Sequence, residues 1–177
     1  NADEIVAESN NDAGISILSG QSSKGSLFFG DAGVNTDGRV EYSQATRSMT
    51  LATAGTDAVT ISSSGEMTKP LQPAFLARPS TAQNNVTEGS GQTVVFGTEV
   101  FDVGANFASN TFTAPVTGKY QLSTIIYLGA LDTDADYTEI SIITSNRNYH
   151  AIIDPGVLAS DPVYWAFTVT CLADMDA

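Results

Sequence analysis

The first seventy residues alternate short β-strand candidates with turn formers, and this rhythm limits the fold more than any other feature of the chain. Each candidate holds only two or three apolar side chains, and serine, threonine, glycine, aspartate and asparagine fill the spaces between them. The candidates are residues 15–17, 27–29, 39–42, 49–51 and 59–61. Strands at such spacing, with no helical periodicity to compete, predict an all-β segment.

Strands with so few apolar side chains bury too little surface to fold without further partners. Apolar burial contributes about 25 cal/mol per Å², whereas ordering the backbone costs about 1–2 kcal/mol per residue. We therefore expect several copies of the chain to share the burial, because three copies around one axis would form a common core and hide strand edges. The alternative is a disordered Ser/Gly/Thr linker, which the regular placement of Phe, Tyr, Met and Ile disfavours.

Two prolines interrupt this rhythm in the segment Lys69-Pro70-Leu71-Gln72-Pro73, and we place a domain boundary there. The prediction is a β shaft over residues 1–69 and a head domain over residues 70–177. Strands are predicted in the second part at residues 74–77, 93–96, 100–101, 111–113, 138–144 and 149–153. Many strands, long polar loops and no helical pattern predict a sandwich or jelly roll.

A proline and glycine corner precedes the longest β run of the chain. Pro115 cannot donate to a ladder and Gly118 tolerates a positive φ, so residues 114–118 are expected to turn the chain. In the run at residues 119–128, apolar side chains alternate at first and then occupy successive positions. We expect a half-buried strand that becomes buried on both faces.

These residues carry a resemblance to a known family. Phe112, five residues, Gly118 and then residues 119–122 resemble the core motif of the complement q-subunit globular head, which shares a trimeric jelly roll with tumour necrosis factor. Residues 163–176 look like a later strand of that family. The resemblance implies a homotrimeric jelly-roll head whose closing strands are missing from this chain. We accordingly expect the chain to be a piece of a longer protein.

The first part resembles the distal shafts of bacteriophage tail fibres, through the segments GSLFFGD, GRVEY, MTLATAG and VTISSSG. Together the two resemblances imply the tip of a homotrimeric tail fibre on a virion, with a slender intertwined shaft and a head. Such a tip would attach to a glycan or protein receptor on the host-cell surface, and upstream fibre or tail proteins would be further partners. Two alternatives stay open: a purely structural trimerisation and capping domain, and an extracellular adhesin on a bacterial cell surface.

The charge balance argues against two classes of partner. Seven basic and 20 acidic residues give a formal net charge of −13, whereas nucleic acids and anionic membranes attract basic surfaces. No apolar stretch approaches the roughly 18 residues of a membrane span. We expect neither nucleic-acid binding nor membrane insertion.

The chemistry-bearing residues do not indicate an enzyme. His150 is the only histidine, and no Gly-x-Ser-x-Gly elbow accompanies it. We interpret it as a strand histidine satisfied by a neighbour, with ligand contact as the alternative. Cys171 is the single cysteine and lies in an apolar β run, which predicts a buried structural thiol.

Carboxylates occupy alternate positions in the loop at residues 131–137, at Asp132, Asp134 and Asp136. This is the spacing by which calcium loops gather oxygen ligands, although Tyr137 and Ile143 stand where an EF-hand needs glycine and glutamate. A solvated acidic loop is the favoured interpretation. The alternative is a Ca²⁺ site assembled by three copies, since some heads of the family carry calcium near the trimer axis.

A cluster of polar and aromatic residues supplies the candidates for ligand contact, namely Asn146, Arg147, Asn148, Tyr149 and His150. Aromatic faces stack on apolar patches of sugar rings, while Asn and Arg side chains reach hydroxyls and carboxylates. The loop between the pairs Asp154-Pro155 and Asp161-Pro162 is part of the same hypothesis. The other interpretation is that these residues connect elements or contact another subunit.

Overall fold

The computed structural model describes residues 7–87 and 89–177, so six residues of the predicted shaft and Glu88 lie outside the described part. Within those ranges the chain has thirteen strands, one short 3-10 helix and no α-helix. The prediction of an all-β fold is confirmed. No helix in the same ranges is long and apolar enough to cross a membrane. The chain divides into two compact units between Ala74 and Phe75.

The first unit contains one five-stranded antiparallel sheet in which every strand pairs with its neighbour in sequence. Its strands are β1 (Lys24–Phe29), β2 (Gly38–Ser43), β3 (Ser48–Thr53), β4 (Thr56–Ile61) and β5 (Met67–Thr68). Four of these contain predicted strands. The strand predicted at residues 15–17 is wrong: this segment has no partner strand, and Ile15 and Ile17 stay exposed.

The tightest connection of this sheet is the two-residue turn between β3 and β4. Ala54 and Gly55 both have positive φ, at 48° and 71°, as a type I′ turn requires. The turn after β4 is closed by Glu66, whose carboxylate accepts hydrogen bonds from the hydroxyls of Ser62 and Ser64. These bonds, that of Ser62 first, lower the pKa of Glu66 to about 2, so the charged turn persists in acid.

The register gives this sheet two chemically different faces, because directly opposite residues point to the same side. One face holds the ionic contacts of Lys24 with Glu41, at 2.7 Å, and of Arg39 with Asp57. The other face holds nine large apolar or aromatic side chains, beside Thr53 and Thr56 at one end, and we call these nine the apolar face: Leu27, Phe29, Val40, Tyr42, Met49, Leu51, Val59, Ile61 and Met67.

The second unit is built from paired strands, among which β10 and β13 are the longest. Its strands are β6 (Ala74–Arg78), β7 (Thr98–Val103), β8 (Phe107–Ala108), β9 (Thr111–Phe112), β10 (Gly118–Gly129), β11 (Thr138–Ile143), β12 (Asn148–Ile153) and β13 (Tyr164–Met175). The pairs are β6–β7, β8–β9, β10–β13 and β11–β12.

The strand predicted at residues 93–96 is wrong, because side chains bind its backbone instead of a neighbouring strand. The amide of Gln83 donates to the carbonyl of Thr93 and accepts from the Val95 N–H, both at 3.1 Å. The N–H of Phe96 donates to Asn110 Oδ1 at 2.7 Å. The segment is therefore fixed as a loop.

Stacked aromatic rings join the short strands of this unit. Phe75 on β6 stacks on Phe107 and Phe112, with ring centroids 4.7 Å and 5.0 Å apart. Tyr120 on β10 packs edge to face on Phe112, with ring centroids 5.4 Å apart. Phe96 packs edge to face on Phe107, with ring centroids 6.1 Å apart. Offset and edge-to-face geometries are the favourable ones for aromatic pairs, so this cluster ties β6, β8, β9 and β10 together.

The pair of β10 and β13 has one covered and one open face. Phe167, Val169 and Ala173 are buried on the covered face, where Cys171 is half-buried and desolvation raises the pKa of its thiol. On the open face of β10 every second residue is exposed, so the expectation of burial on both faces is wrong for this chain taken alone.

Truncating the centre of the aromatic cluster should destabilise the protein severely. Phe107→Ala removes the ring that stacks on Phe75 in a site only 7% exposed, and we expect a loss of about 3–5 kcal/mol in the free energy of unfolding. Urea denaturation followed by circular dichroism measures it. Phe101→Ala, on β7 at 47% exposure, is the control and should cost far less; equal losses would contradict the assigned role of the cluster.

Candidate functional site

A polar cluster lies on the outer face of the β11–β12 hairpin. The register pairs Ser141 with His150, and Glu139 lies two residues before Ser141 on the same face. His150 Nδ1 is 2.6 Å from a Glu139 carboxylate oxygen and 3.0 Å from the Ser141 hydroxyl, which itself donates to Glu139. The only histidine therefore has partners from the neighbouring strand, as its sequence position predicted.

The geometry of this cluster differs from that of a hydrolase triad. In a triad the serine hydroxyl faces Nε2 and the carboxylate faces Nδ1 of the histidine. Here both Ser141 and Glu139 lie at Nδ1, and Ser141 donates to the carboxylate. The Ser141 hydroxyl and, second, His150 lower the pKa of Glu139. The arrangement stabilises a carboxylate and does not activate a nucleophile.

Two of the predicted ligand residues link the hairpin turn to β13. Asn146 Nδ2 donates to the carbonyl of Asp174, and the Arg147 guanidinium donates to the Asp174 carboxylate, both at 3.0 Å. The backbone N–H of Asp174 itself, followed by the charges of Arg147 and Lys119, lowers the pKa of Asp174. Asn146 and Arg147 thus position the turn through contacts within the chain.

The remaining predicted ligand residues divide between the two faces of β12. Asn148 and His150 are exposed, and Tyr149 between them is half-buried on the opposite face. A single flat ligand surface would therefore draw on Asn148 and His150 and not on Tyr149. The binding role of these residues stays a prediction.

The acidic loop is held by hydrogen bonds to its own backbone. Asp132 accepts from the N–H of Asp134 at 2.8 Å, and all three predicted metal ligands, Asp132, Asp134 and Asp136, are exposed. No group of three or more His, Cys, Asp or Glu side chains among residues 7–87 and 89–177 lies close enough to hold a metal ion. The Ca²⁺ site assembled by three copies at this loop stays a prediction.

A second loop is fastened to the acidic loop. The Asp161 carboxylate accepts from the hydroxyl and the N–H of Thr133, at 2.6 Å and 3.0 Å, and these bonds, that of the hydroxyl first, lower the pKa of Asp161. This second loop also contains the short 3-10 helix Pro155–Val157. The helix begins after Asp154, whose side chain accepts a hydrogen bond from the N–H of Gly156. The two loops therefore form one surface with a fixed conformation, on which Tyr137 and Val157 are exposed.

The first unit contains an open cavity of about 460 Å³ near the connection of β1 and β2. Asp31 lines it, but its carboxylate already accepts from the N–H groups of Gly33 and Val34, at 2.7 Å and 2.9 Å. The same two bonds, that of Val34 first, lower the pKa of Asp31. The carboxylate is thus used to fix a turn, and the cavity offers few other polar groups.

The open face of the β10–β13 pair carries no charge along most of its length. Tyr127 and Tyr164 are 74% and 75% exposed there, beside exposed Ile125 and Leu172. Apart from the ion pair of Lys119 with Asp174 at one end, the face presents apolar, hydroxyl and amide side chains. This composition is typical of the core of a protein interface.

Comparisons of the chain with protein-family models, with curated proteins and with solved structures each found no match.

Sequence reasoning missed Glu139, Ser141 and Asp174 as partners of the candidate residues. A signal for the first two was present: Glu139 and Ser141 alternate on one predicted strand, and alternate residues share a face. Their pairing with His150 depends on the hairpin register, which the four-residue connection at residues 144–147 does not define in the sequence. The contact of Asp174 with the hairpin turn joins segments 27 residues apart and has no local signal.

Removing the Ser141 hydroxyl should raise the pKa of Glu139. Because that hydroxyl is the first cause of the lowered pKa, Ser141→Ala should move the carboxyl titration toward the ordinary glutamate value, and His150→Ala should move it less. The contribution of the cluster to stability is therefore present above the ordinary glutamate pKa and is lost as the pH falls through the lowered value. Carboxyl carbon NMR titration measures the shift. Ser123→Ala, on β10, is the control, and an unmoved Glu139 in Ser141→Ala would refute the assignment.

Proposed function

We propose that this chain is the tip of a homotrimeric extracellular fibre that attaches a virion to the surface of a host cell. Residues 1–69 would form the shaft, and residues 70–177 would form a jelly-roll head of the tumour-necrosis-factor type that presents loops. Attachment would need no chemical turnover of the receptor. The phage tail fibre is the version favoured by the resemblance of the first part of the chain to tail-fibre shafts.

The observation that carries the proposal is the amount of surface one chain leaves exposed. A compact protein of 18.5 kDa is expected to expose about 8,200 Å², and two separate units of the same total mass about 9,900 Å². This chain exposes 12881 Å². Only seven apolar residues of the described ranges are buried, while 27 large apolar residues are exposed. Association of copies would cover such a surface.

The open face of β10 and β13 supports association of the heads. Copies with a net charge of −13 repel one another over most of their surface. Two copies can approach each other with the smallest electrostatic cost at an uncharged face, and this one also has two exposed tyrosines. Aromatic residues are enriched, and charged residues depleted, in the cores of interfaces.

The fastened loops support the attachment part of the proposal. Loops held on a rigid scaffold are the usual carriers of binding residues, and the bonds of Thr133 with Asp161 hold two loops together. Exposed Tyr137 and Val157 give this surface apolar contact groups. Three such surfaces on one tip would convert weak single contacts into avidity.

A structural cap without a receptor is the second candidate. It is favoured by the contacts of Asn146 and Arg147, which bind Asp174 in the same chain. Side chains used in this way are less free to contact a glycan. In this version the head sets the register of three chains, and another protein binds the host.

The native mass of the chain tests the assembly on which both candidates depend. We expect light scattering to give about 55 kDa, three times the 18.5 kDa of one chain, because the exposed apolar surface requires cover. The mass should be unchanged in EDTA if the acidic loop is only solvated. Loss of the trimer in EDTA would instead assign Asp132, Asp134 and Asp136 to a shared Ca²⁺ site. A well-folded monomer would refute the fibre proposal.

Cell binding separates attachment from capping. Tyr137→Ala and Val157→Ser should abolish adsorption of the labelled protein to receptive cells while the trimer mass is kept. Val116→Ser, at an exposed position of the corner before β10, is the control and should bind normally. Trimers that never bind the host cells of the parent virion would favour the structural cap.

A further inference from the structure

At the centre of the β1–β5 sheet, ionic side chains are less exposed than apolar ones, although Lys24 and Asp57 at its margins are exposed. On its ionic face the side chains of Arg39 and Glu41 are only 19% and 12% exposed. On the apolar face, defined above by nine residues, Leu27 and Leu51 are 52% and 41% exposed. Antiparallel sheets with one wet side normally turn the polar side chains to the water. Within the described part of the first unit, residues 7–74, the apolar face has no cover that buries Leu27 or Leu51.

From this face we infer, on the basis of the fibre proposed above, that the β1–β5 sheets of separate copies pack against one another through the apolar face. The occupant is a second copy of this chain. The ionic contacts of Arg39, Glu41 and Asp57 then remain on the outer side of the shaft, in contact with water.

Charge selects a copy of the chain as the partner. The nine side chains of the apolar face include no acid and no base, although the whole chain has a net charge of −13. A partner chosen by charge complementarity would need charged residues on this face to bind. A second copy offers the same uncharged apolar surface, and burying it leaves no unpaired charge.

The dimensions of the face allow sheets to pack on one another. Four strands of six residues span about 20 Å in each direction, and packed sheets lie about 10 Å apart. The projected area is on the order of 400 Å², about half of what each partner gives a standard interface. The sheet therefore contributes one part of the contact, and exposed apolar residues elsewhere in the chain must supply the rest.

Two methionines report on the face directly. Met49 and Met67 both belong to it and are 39% and 59% exposed in the single chain. Peroxide converts accessible methionine to the sulfoxide, and mass spectrometry measures the rate at each residue. In the trimer, both should be oxidised at least about tenfold more slowly than free methionine, because access then requires opening of the contact. Dilution that dissociates the trimer should abolish this protection.

Adjacent positions on opposite faces supply a matched pair of variants. Leu27 and Phe28 are 52% and 48% exposed, and only Leu27 belongs to the apolar face. Leu27→Glu should expose Met49 and Met67 to peroxide, whereas Phe28→Glu, opposite Arg39, should leave them protected. Circular dichroism checks that each variant is folded. If Leu27→Glu does not fold, the oxidation rates of Met49 and Met67 in the wild-type trimer test the inference on their own.

The outcomes separate this inference from the proposed function. A wild-type trimer in which Met49 and Met67 react as fast as free methionine would overturn the packing of the sheets and leave the fibre proposal standing. Protection that persists in a monomer would assign the cover to the same chain and overturn both. Equal protection in Leu27→Glu and Phe28→Glu trimers would also exclude the apolar face as the contact.

Discussion

Stacking of Phe75 on Phe107 and Phe112 is the interaction on which the second unit depends. The three rings come from β6, β8 and β9, which contain only two to five residues each, and short strands of this kind are marginal without packing. Tyr120 extends the same cluster to β10, whose partner β13 carries three of the seven buried apolar residues of the described ranges. Ring contacts thus replace the continuous sheet that these short strands do not form.

The two units meet the same shortage of apolar residues in different ways. The second unit gathers aromatic rings into a cluster, whereas the first unit places most of the large apolar side chains of its strands on one face of a sheet. Acidic residues are numerous in the chain, but the open face of β10 and β13 and the apolar face of the first sheet are almost free of them. The separation of charged from apolar surface is therefore a common property of both units.

Local patterns in the sequence predicted most of the strands but not the contacts between them. Alternation and turn formers defined residues 27–29, 39–42, 49–51 and 59–61, all of which lie inside strands. Residues 93–96 have the same apolar character, yet Gln83 and Asn110 bind their backbone, and no local pattern indicates such bonds. The histidine was predicted to have a partner, but the identity of Glu139 followed only from the hairpin register. Assembly of several copies is predicted from the small number of apolar side chains in each strand, and it stays a prediction.

The connectivity of the first sheet has a consequence for the order of folding. Because every strand pairs only with its neighbour in sequence, its contact order is low, and such hairpins form in about 1–10 μs. Pairing of β10 with β13 must instead close a loop of more than thirty residues and is expected to be slower. Hydrogen-bonded sheets would then exist in each chain before chains meet, and assembly would become a concentration-dependent docking of preformed parts.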